Sequence, residues 1–412
     1  MSNATLPYER GDIIETTADD LRKLEVAWSR MAERYERGDS VFGMSGLERV
    51  LDVEPSALAD MDDDLAPARY LSELRALALE HLGGDAEVHD TLLLNRQTAA
   101  LWLAANILVP RGARVIGVSP THSHPAVVRA VRDAGGEFED VEGLAGLHAA
   151  LERDADVEVV MLTRLAVSYD ILETDELHAI TALARQAGAR IVVDDAGGAR
   201  VGPAVFDQPR SLELDVDVVS TGLDKYGTTG PRLGLMGGAR EVVADIRARA
   251  YEMGMEARQM LYPAVVRSLA GYRPERVREL VETTRTVCAA LAQRLGSEMV
   301  VNTPVIGKLR GESILELALK RAGLDSSPLV PYEATAALAM LLLRDAGIFT
   351  VHFAGIPPGT SALLIKFLPP ERLAELGGAD AFARAVDDGI SSLAALLHDP
   401  DQIRSLLLEK TT

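Results

Sequence analysis

Six short apolar runs constrain this chain more than any other feature of its sequence. They lie at residues 91–94 (TLLL), 114–118 (RVIGV), 157–162 (VEVVML), 190–194 (RIVVD), 216–220 (VDVVS) and 232–236 (RLGLM). Helical patterns fall between them, among them 98–108, 125–134 and 175–187. A strand that is apolar throughout is buried on both faces, and such strands joined by helices form a mainly parallel sheet covered on both sides. The expected class is therefore α/β. In sheets of this kind ligands bind beyond the carboxyl ends of the strands. Four polar turns fall there: Asn95-Arg96-Gln97-Thr98, Thr121-His122-Ser123-His124, Asp194-Asp195-Ala196-Gly197, and the turn that carries Lys225. No GxGxxG follows a strand and no GxxxxGK[ST] occurs, so dinucleotide and P-loop readings have no motif behind them.

The chemistry of the turns is specific. Lys225 sits between Asp224 and Tyr226 in VVSTGLDKYGTTGPRLGLMGG, residues 218–238. An ammonium is costly to bury without a partner, and on a glycine-rich turn at a strand end it is placed for amine chemistry. Asp194 ends a buried strand, where a carboxylate can hold a cationic ring nitrogen by a charge-assisted bond. Ala196 is small enough for a flat ring to lie against its backbone. Asn95-Arg96-Gln97-Thr98 opens a helix, and the exposed N–H groups of a helix start bind phosphate. His124 precedes Pro125, which suits the first position of a helix; its imidazole, or that of His122, can stack on a ring. An amine, a carboxylate, a phosphate cradle and a stacking face are together what pyridoxal 5'-phosphate (PLP) requires.

Composition bounds the alternatives. A chain of 412 residues is long for one core. The sequence divides into an N-terminal helix and arm (1–62), a large domain (63–268), and a connector helix at 274–295 leading into a smaller α/β domain (269–412). In the first part, Leu21, Leu24, Trp28, Met31 and Tyr35 recur at helical spacing and predict one apolar face. The smaller domain contains GIFTVHFAG (347–355) and ALLIKFL (362–368). Cys288 is the one cysteine, so a disulfide framework within the chain is excluded. The net charge of -20 opposes a broad nucleic-acid surface. No run reaches the length of a membrane span. The start, MSNATLPYER, lacks a signal-peptide pattern, so a cytoplasmic protein is expected.

The order of these parts, from phosphate turn through histidine and VVDDA strand end to the S-T-x-x-D-K turn, resembles the fold-type-I, aspartate-aminotransferase-like PLP enzymes. Within them, VDDAGGAR followed by STGLDKYGTTGPRLGLMGG most resembles the selenocysteine-synthase-like group. That group includes bacterial seryl-tRNA selenium transferase, ammonia-lyases of amino-sugar acids, and archaeal relatives of uncertain activity, to which this chain is most similar. The resemblance spans roughly residues 90–270. It implies a seven-stranded sheet, Lys225 as the Schiff-base lysine, Asp194 on the pyridinium nitrogen, His124 on the ring face, and Gln97, Thr98 and Ser220 on the phosphate. It also implies a homodimer or larger homo-oligomer with sites at the subunit interface.

Other residues are placed by position. Arg96 either joins the phosphate site or caps its helix. Ser168 and Asp170 fall where the third strand ends, within reach of the ring hydroxyl. Arg232 faces a substrate carboxylate, a partner subunit or an ion pair of its own. Asp195 is expected to be structural, Tyr226 to pack, and His352 to be a strand residue. The function expected is action on an amino acid or similar amine: Lys225 takes the Cα proton as general base, and β-elimination or β-replacement follows. An aminotransferase, or a PLP-binding protein without turnover, is the alternative. Many fold-type-I aminotransferases clamp the substrate carboxylate with an arginine from a small-domain strand. The matching stretch here, SALLIKFL, has Lys366 and no arginine, which favours lyase or replacement chemistry. Selenium transfer on tRNA is opposed by the acidic balance.

Overall fold

The computed structural model describes residues 6–353, 356 and 358–410. The chain divides into two compact units, one of residues 48–278 and the other of residues 1–47 with 279–412.

The 48–278 unit is built on a seven-stranded sheet. Its strands are β1 (His89–Leu94), β2 (Arg114–Ser119), β3 (Glu137–Glu142), β4 (Val159–Thr163), β5 (Arg190–Asp194), β6 (Val218–Gly222) and β7 (Gly234–Ala239), in the spatial order β1-β7-β6-β5-β4-β2-β3. Only β7 runs antiparallel to its neighbours. Alternate residues of each strand serve two cores. Val118, Leu162, Val193, Val219 and Leu235 pack with apolar residues of the helices Leu65–Leu82, Thr174–Gln186 and Tyr262–Ala270. Val115, Met161, Val192, Val218 and Met236 pack with the helices Gln97–Leu108, Pro125–Ala134 and Arg240–Met253. Both sheet faces are thus covered, which is why the strands read as unbroken apolar runs.

The sequence pattern misses β3. Its residues, EFEDVE, hold four acids among six and are half-buried or exposed. An edge strand pairs on one side only, so it needs no apolar run, and a charged edge discourages further pairing. β7 starts two residues later than the expected run, the Leu233 N–H being turned to the Pro231 carbonyl at 2.7 Å.

The second unit contains a three-stranded antiparallel sheet of Val301–Asn302, Ile306–Leu309 and Leu363–Lys366 and the buried helix Pro331–Ala346. The boundary differs from the expected 1–62 arm. Residues up to 47 belong with the C-terminal residues, and the helix Pro274–Leu295 runs through the other division at 278/279. Long-range contacts cause this. Phe42–Met44 pairs in parallel with Ile348–Thr350, and the Glu333 carboxylate accepts from the Ile13 and Ile14 N–H groups at 2.6 and 3.0 Å. His352 lies in a single 3-10 turn after Ile348–Thr350 rather than in a strand. The last two residues of GIFTVHFAG fall outside the described residues, as do the first five of MSNATLPYER.

Candidate active site

The last rungs of the parallel strands build the site. Thr163 of β4 is opposite Asp194 of β5, which is opposite Ser220 of β6. Ser119 of β2 lies one rung beyond the pair Val118 and Leu162. In-register residues of parallel strands share a face, so these four form one polar row on the side covered by the Gln97 and Pro125 helices. The hydroxyls of Ser119, Thr163 and Ser220 are buried with no hydrogen-bond partner. Unpaired buried hydroxyls are rare in native folds, and three along one rim mark a place built for polar contact.

Asp194 is the charged member of the row. It is buried, and Gln97 Nε2 donates to its Oδ1 at 2.6 Å. Burial pushes its pKa up to about 6, opposed by Lys225 and by the Ala196 N–H and aided by Asp195. A folded-state pKa above the unfolded one stabilises only while the group is protonated. Stability from this group is therefore full below pH ~4 and is lost as pH rises through about 6. For the protein without ligands we expect Asp194→Asn to remove that loss, raising stability at pH 7 by about 3 kcal/mol at most. Urea unfolding at pH 4.5 and pH 7 checks this; a variant no more stable than wild type at pH 7 contradicts it.

Lys225 is part-buried on the turn after β6. Burial lowers its amine pKa, with Asp224 and Asp194 opposing and Arg200 and Arg232 assisting. Gly222 separates it from the Gln97 side chain. A methyl group at Gly222 would meet Asp224 Oδ1 at 3.2 Å, Gln97 Oε1 at 3.3 Å and Lys225 Cε at 3.4 Å. The lysine, the amide and, through that amide, the Asp194 carboxylate thus surround one point that a side chain would crowd. The turn itself is locked. Tyr226 takes a left-handed φ of 47°, a conformation most residues avoid, and its hydroxyl bonds that of Tyr169 at 2.6 Å. Tyr226 does pack, and it also ties the lysine turn to the loop after β4.

That loop carries Ser168, whose hydroxyl lies 2.9 Å from Thr121 Oγ1 in the turn after β2, with Asp170 next to it in the same loop. His124 caps the Pro125 helix, its Nδ1 accepting from the Ala126 N–H at 3.0 Å. Burial, then Lys225, Arg129 and His122, lower its pKa to about 3, so the imidazole is neutral. His122, two residues earlier, is half-buried as well.

Arg96 precedes the Gln97 helix in extended conformation and makes no side-chain cap, so its capping role is not realised. Arg96 and Thr98 are exposed, and Gln97 is half-buried. Gly234 lets β7 pass this helix start: a Cβ there would come within 2.8 Å of Arg96 C and O and Gln97 N. Arg232 Nε lies 3.8 Å from Asp224 Oδ2, while Arg49 Nε is 2.8 Å from the same oxygen. Burial, Arg96 and Arg49 lower the Arg232 pKa to about 10.

Three partners escaped the sequence reading. Arg49 neutralises Asp224 from far along the chain. Arg200, fully buried, donates to Thr221 Oγ1 at 2.9 Å and to the Gly222 carbonyl, fixing the strand end just before Lys225. His81 Nε2 lies 3.0 Å from Arg200 Nη1; burial and Arg200 lower its pKa to about 3. Arg200 lies within the VDDAGGAR stretch, but nothing local shows where its side chain goes. Asp195 belongs to the other side of the strand end. Its Oδ2 accepts from Arg164 Nη2 at 2.9 Å and Ser211 Oγ at 2.6 Å.

A sheet in the order β1-β7-β6-β5-β4-β2-β3, covered by helices on both faces, belongs to a fold with counterparts among solved structures. An aspartate aminotransferase from Thermotoga maritima superposes with a TM-score of 0.55 at 15% identity, over 89% of this chain and 97% of that one. An aromatic aminotransferase from Pyrococcus horikoshii OT3 gives 0.54 at 15% identity, over 90% of this chain and 99% of that one. The fold is that of the aspartate-aminotransferase-like, fold-type-I PLP enzymes. In sequence, a "UPF0425 pyridoxal phosphate-dependent protein" of Methanothermobacter thermautotrophicus is 26% identical over 399 residues, 96% of this chain and 100% of that protein. No family model matches the chain. Among the described residues of this fold-type-I chain, no helix is long and apolar enough to cross a membrane.

Proposed function

We propose that this chain is a PLP-dependent enzyme acting on an amino acid or a similar amine. The observation that carries the proposal is Lys225 itself. It is the only lysine between Glu48 and Arg278, in a chain that otherwise uses arginine for nearly all its cations. Arginine keeps its proton under all ordinary conditions, whereas a buried lysine can release one. A single lysine at the site, with its pKa lowered, fits a need for a free amine.

The residues present fit the cofactor. Lys225 would be the attachment point, and Asp194 would hold the ring nitrogen, whose positive charge would draw the acid back to its ionised form. His124, neutral and held by its cap, supports the ring face beside the Ala196 backbone. Gln97, Thr98, Arg96 and the unpartnered Ser220 hydroxyl take the phosphate at the helix start. Ser168 reaches the ring hydroxyl. When bound, PLP supplies an electron-withdrawing ring conjugated with the substrate Cα. The Lys225 amine would take the Cα proton, and Arg232 would hold the substrate carboxylate. The buried Arg200 keeps the Lys225 turn in place.

Elimination or replacement at Cβ, as in the selenocysteine-synthase-like group that the sequence resembles, is the branch we favour. In support of this branch, the stretch SALLIKFL carries no arginine to clamp a substrate carboxylate, and its strand Leu363–Lys366 ends in a buried lysine instead. The enzyme is further proposed to be a cytoplasmic homo-oligomer. Incubating the PLP-loaded protein with a panel of amino acids, and assaying ammonia and keto acid, tests the proposal. Release of both from a substrate with a β-leaving group supports elimination. Amino-group transfer to the cofactor without ammonia release points to an aminotransferase, and no spectral change with any amine reduces the chain to a PLP-binding protein.

A further inference from the structure

The N-terminal helix, Thr17–Arg37, turns only part of its predicted apolar side to the core. Its buried residues are Asp20, Lys23, Val26 and Ala27. Of the apolar residues that predicted its inward face, Leu24 and Met31 are half-buried and pack on the core, while Leu21 is 50% exposed, Trp28 56% and Tyr35 66%. The inward face is held by polar contacts. Lys23 Nζ lies 2.9 Å from Asp20 Oδ1 and 3.2 Å from the Tyr332 hydroxyl, and Arg10 Nη2 is 2.8 Å from Asp20 Oδ2. A buried ionic network of this kind fixes orientation more than it adds stability. The helix cannot roll to hide its apolar residues without stripping those charges of partners.

The exposed residues form a regular seam. Leu21, Trp28 and Tyr35 are spaced by seven, and the exposed Ala18, Glu25 and Ala32 fall between them at the same period. Alternation of three and four residues is the spacing of a helix that packs along another helix. The one charge within the seam is already answered: Glu25 Oε2 lies 3.4 Å from Lys410 Nζ. Isolated exposed apolar residues need no explanation, but a contiguous line of them does.

We propose that this seam pairs with the same helix of a second copy of the chain, antiparallel, about a two-fold axis at Trp28. A two-fold contact must be self-complementary. In the antiparallel arrangement Trp28 meets its own counterpart, Leu21 meets the partner's Tyr35, and the exposed Arg22 faces the partner's Glu36. A parallel pair would leave Arg22 and Glu36 without these opposite charges across the seam, and would align the helix dipoles unfavourably. The three large side chains offer roughly 350 Å² per copy, about 700 Å² over the pair. That is below the ~1,200 Å² of stable interfaces, so the contact is reversible and concentration-dependent.

The test uses the full chain. Cys288 is buried, with its thiol pushed up to about 12, and does not compete for thiol reagents at neutral pH. In the double variant Arg22→Cys/Glu36→Cys a short bis-maleimide should yield a covalent dimer at tens of micromolar protein, and neither single variant should do so. Trp28→Glu, with unchanged circular dichroism, should weaken self-association at least about tenfold by sedimentation, since it places two carboxylates at the axis. If the protein also assembles through another face, the mass should fall to that of the smaller assembly. Cross-linking that is absent in the double variant or equal in the single variants overturns the proposal. So does an assembly mass in Trp28→Glu that matches wild type at every concentration.

Discussion

Lys225→Ala is expected to abolish the absorbance near ~420 nm that PLP should acquire on binding the native protein, and to lower turnover on the order of 10³-fold or more. Borohydride reduction of the loaded protein should leave the label on one peptide. The prediction is sharp because no other lysine lies between Glu48 and Arg278 to take the cofactor in its place. Lys225→Arg separates charge from chemistry. It preserves a cation beside Asp224 and Asp194, so the fold should hold, yet a guanidinium neither attaches an aldehyde reversibly nor gives up a proton at neutral pH. Both variants should lose the band equally. A band that survives in Lys225→Ala means that the amine is not where the cofactor attaches, and the functional reading fails with it.

How much of this was legible in the sequence depends on the range of the interaction concerned. The central strands declare themselves because each is buried on both faces, and the turns that end them carry Asp194, His124 and Lys225. β3 escaped because an edge strand is under no such demand. The adjacent Asp194 and Asp195 look alike as text. Their separation follows from pleating, which sends one toward the Gln97 helix and leaves the other to Arg164. Arg49 and Arg200 act on Asp224 and Gly222 from positions far away along the chain, and no local pattern encodes such a pairing. The N-terminal helix shows a different limit. Its periodicity groups Leu21, Leu24, Trp28, Met31 and Tyr35 on one side, but does not say which of them meet the core: Leu24 and Met31 do, and the other three are exposed. The scarcity of lysine was legible throughout and is the strongest signal the motif reading left unused.

Asp195→Ala should be among the most destabilising single changes in the 48–278 unit, by about 3–5 kcal/mol. Both Asp195 and Arg164 have 0% side-chain exposure. Arg164 keeps one other strong contact, Nη1 to the Pro209 carbonyl at 2.7 Å, and its Nε has no partner. Removing the carboxylate strands a guanidinium in the interior and also leaves Ser211 Oγ without its acceptor. The midpoint of thermal unfolding of this unit should fall by roughly 10 °C. Asp195→Asn, which still accepts from both donors, should lose less. The double variant Arg164→Met/Asp195→Leu should recover most of the loss, because an apolar pair of similar volume pays no desolvation. The contrast with Asp194→Asn tests the division of labour between the two acids. One neighbour has its cation, Arg164, supplied by the fold. The other is held in an environment that penalises its charge until a ligand brings one, so at neutral pH the first substitution should cost stability and the second should not. Equal effects of the two substitutions on unfolding would mean that Asp194 is structural too, and that its raised pKa carries no information about a bound cation.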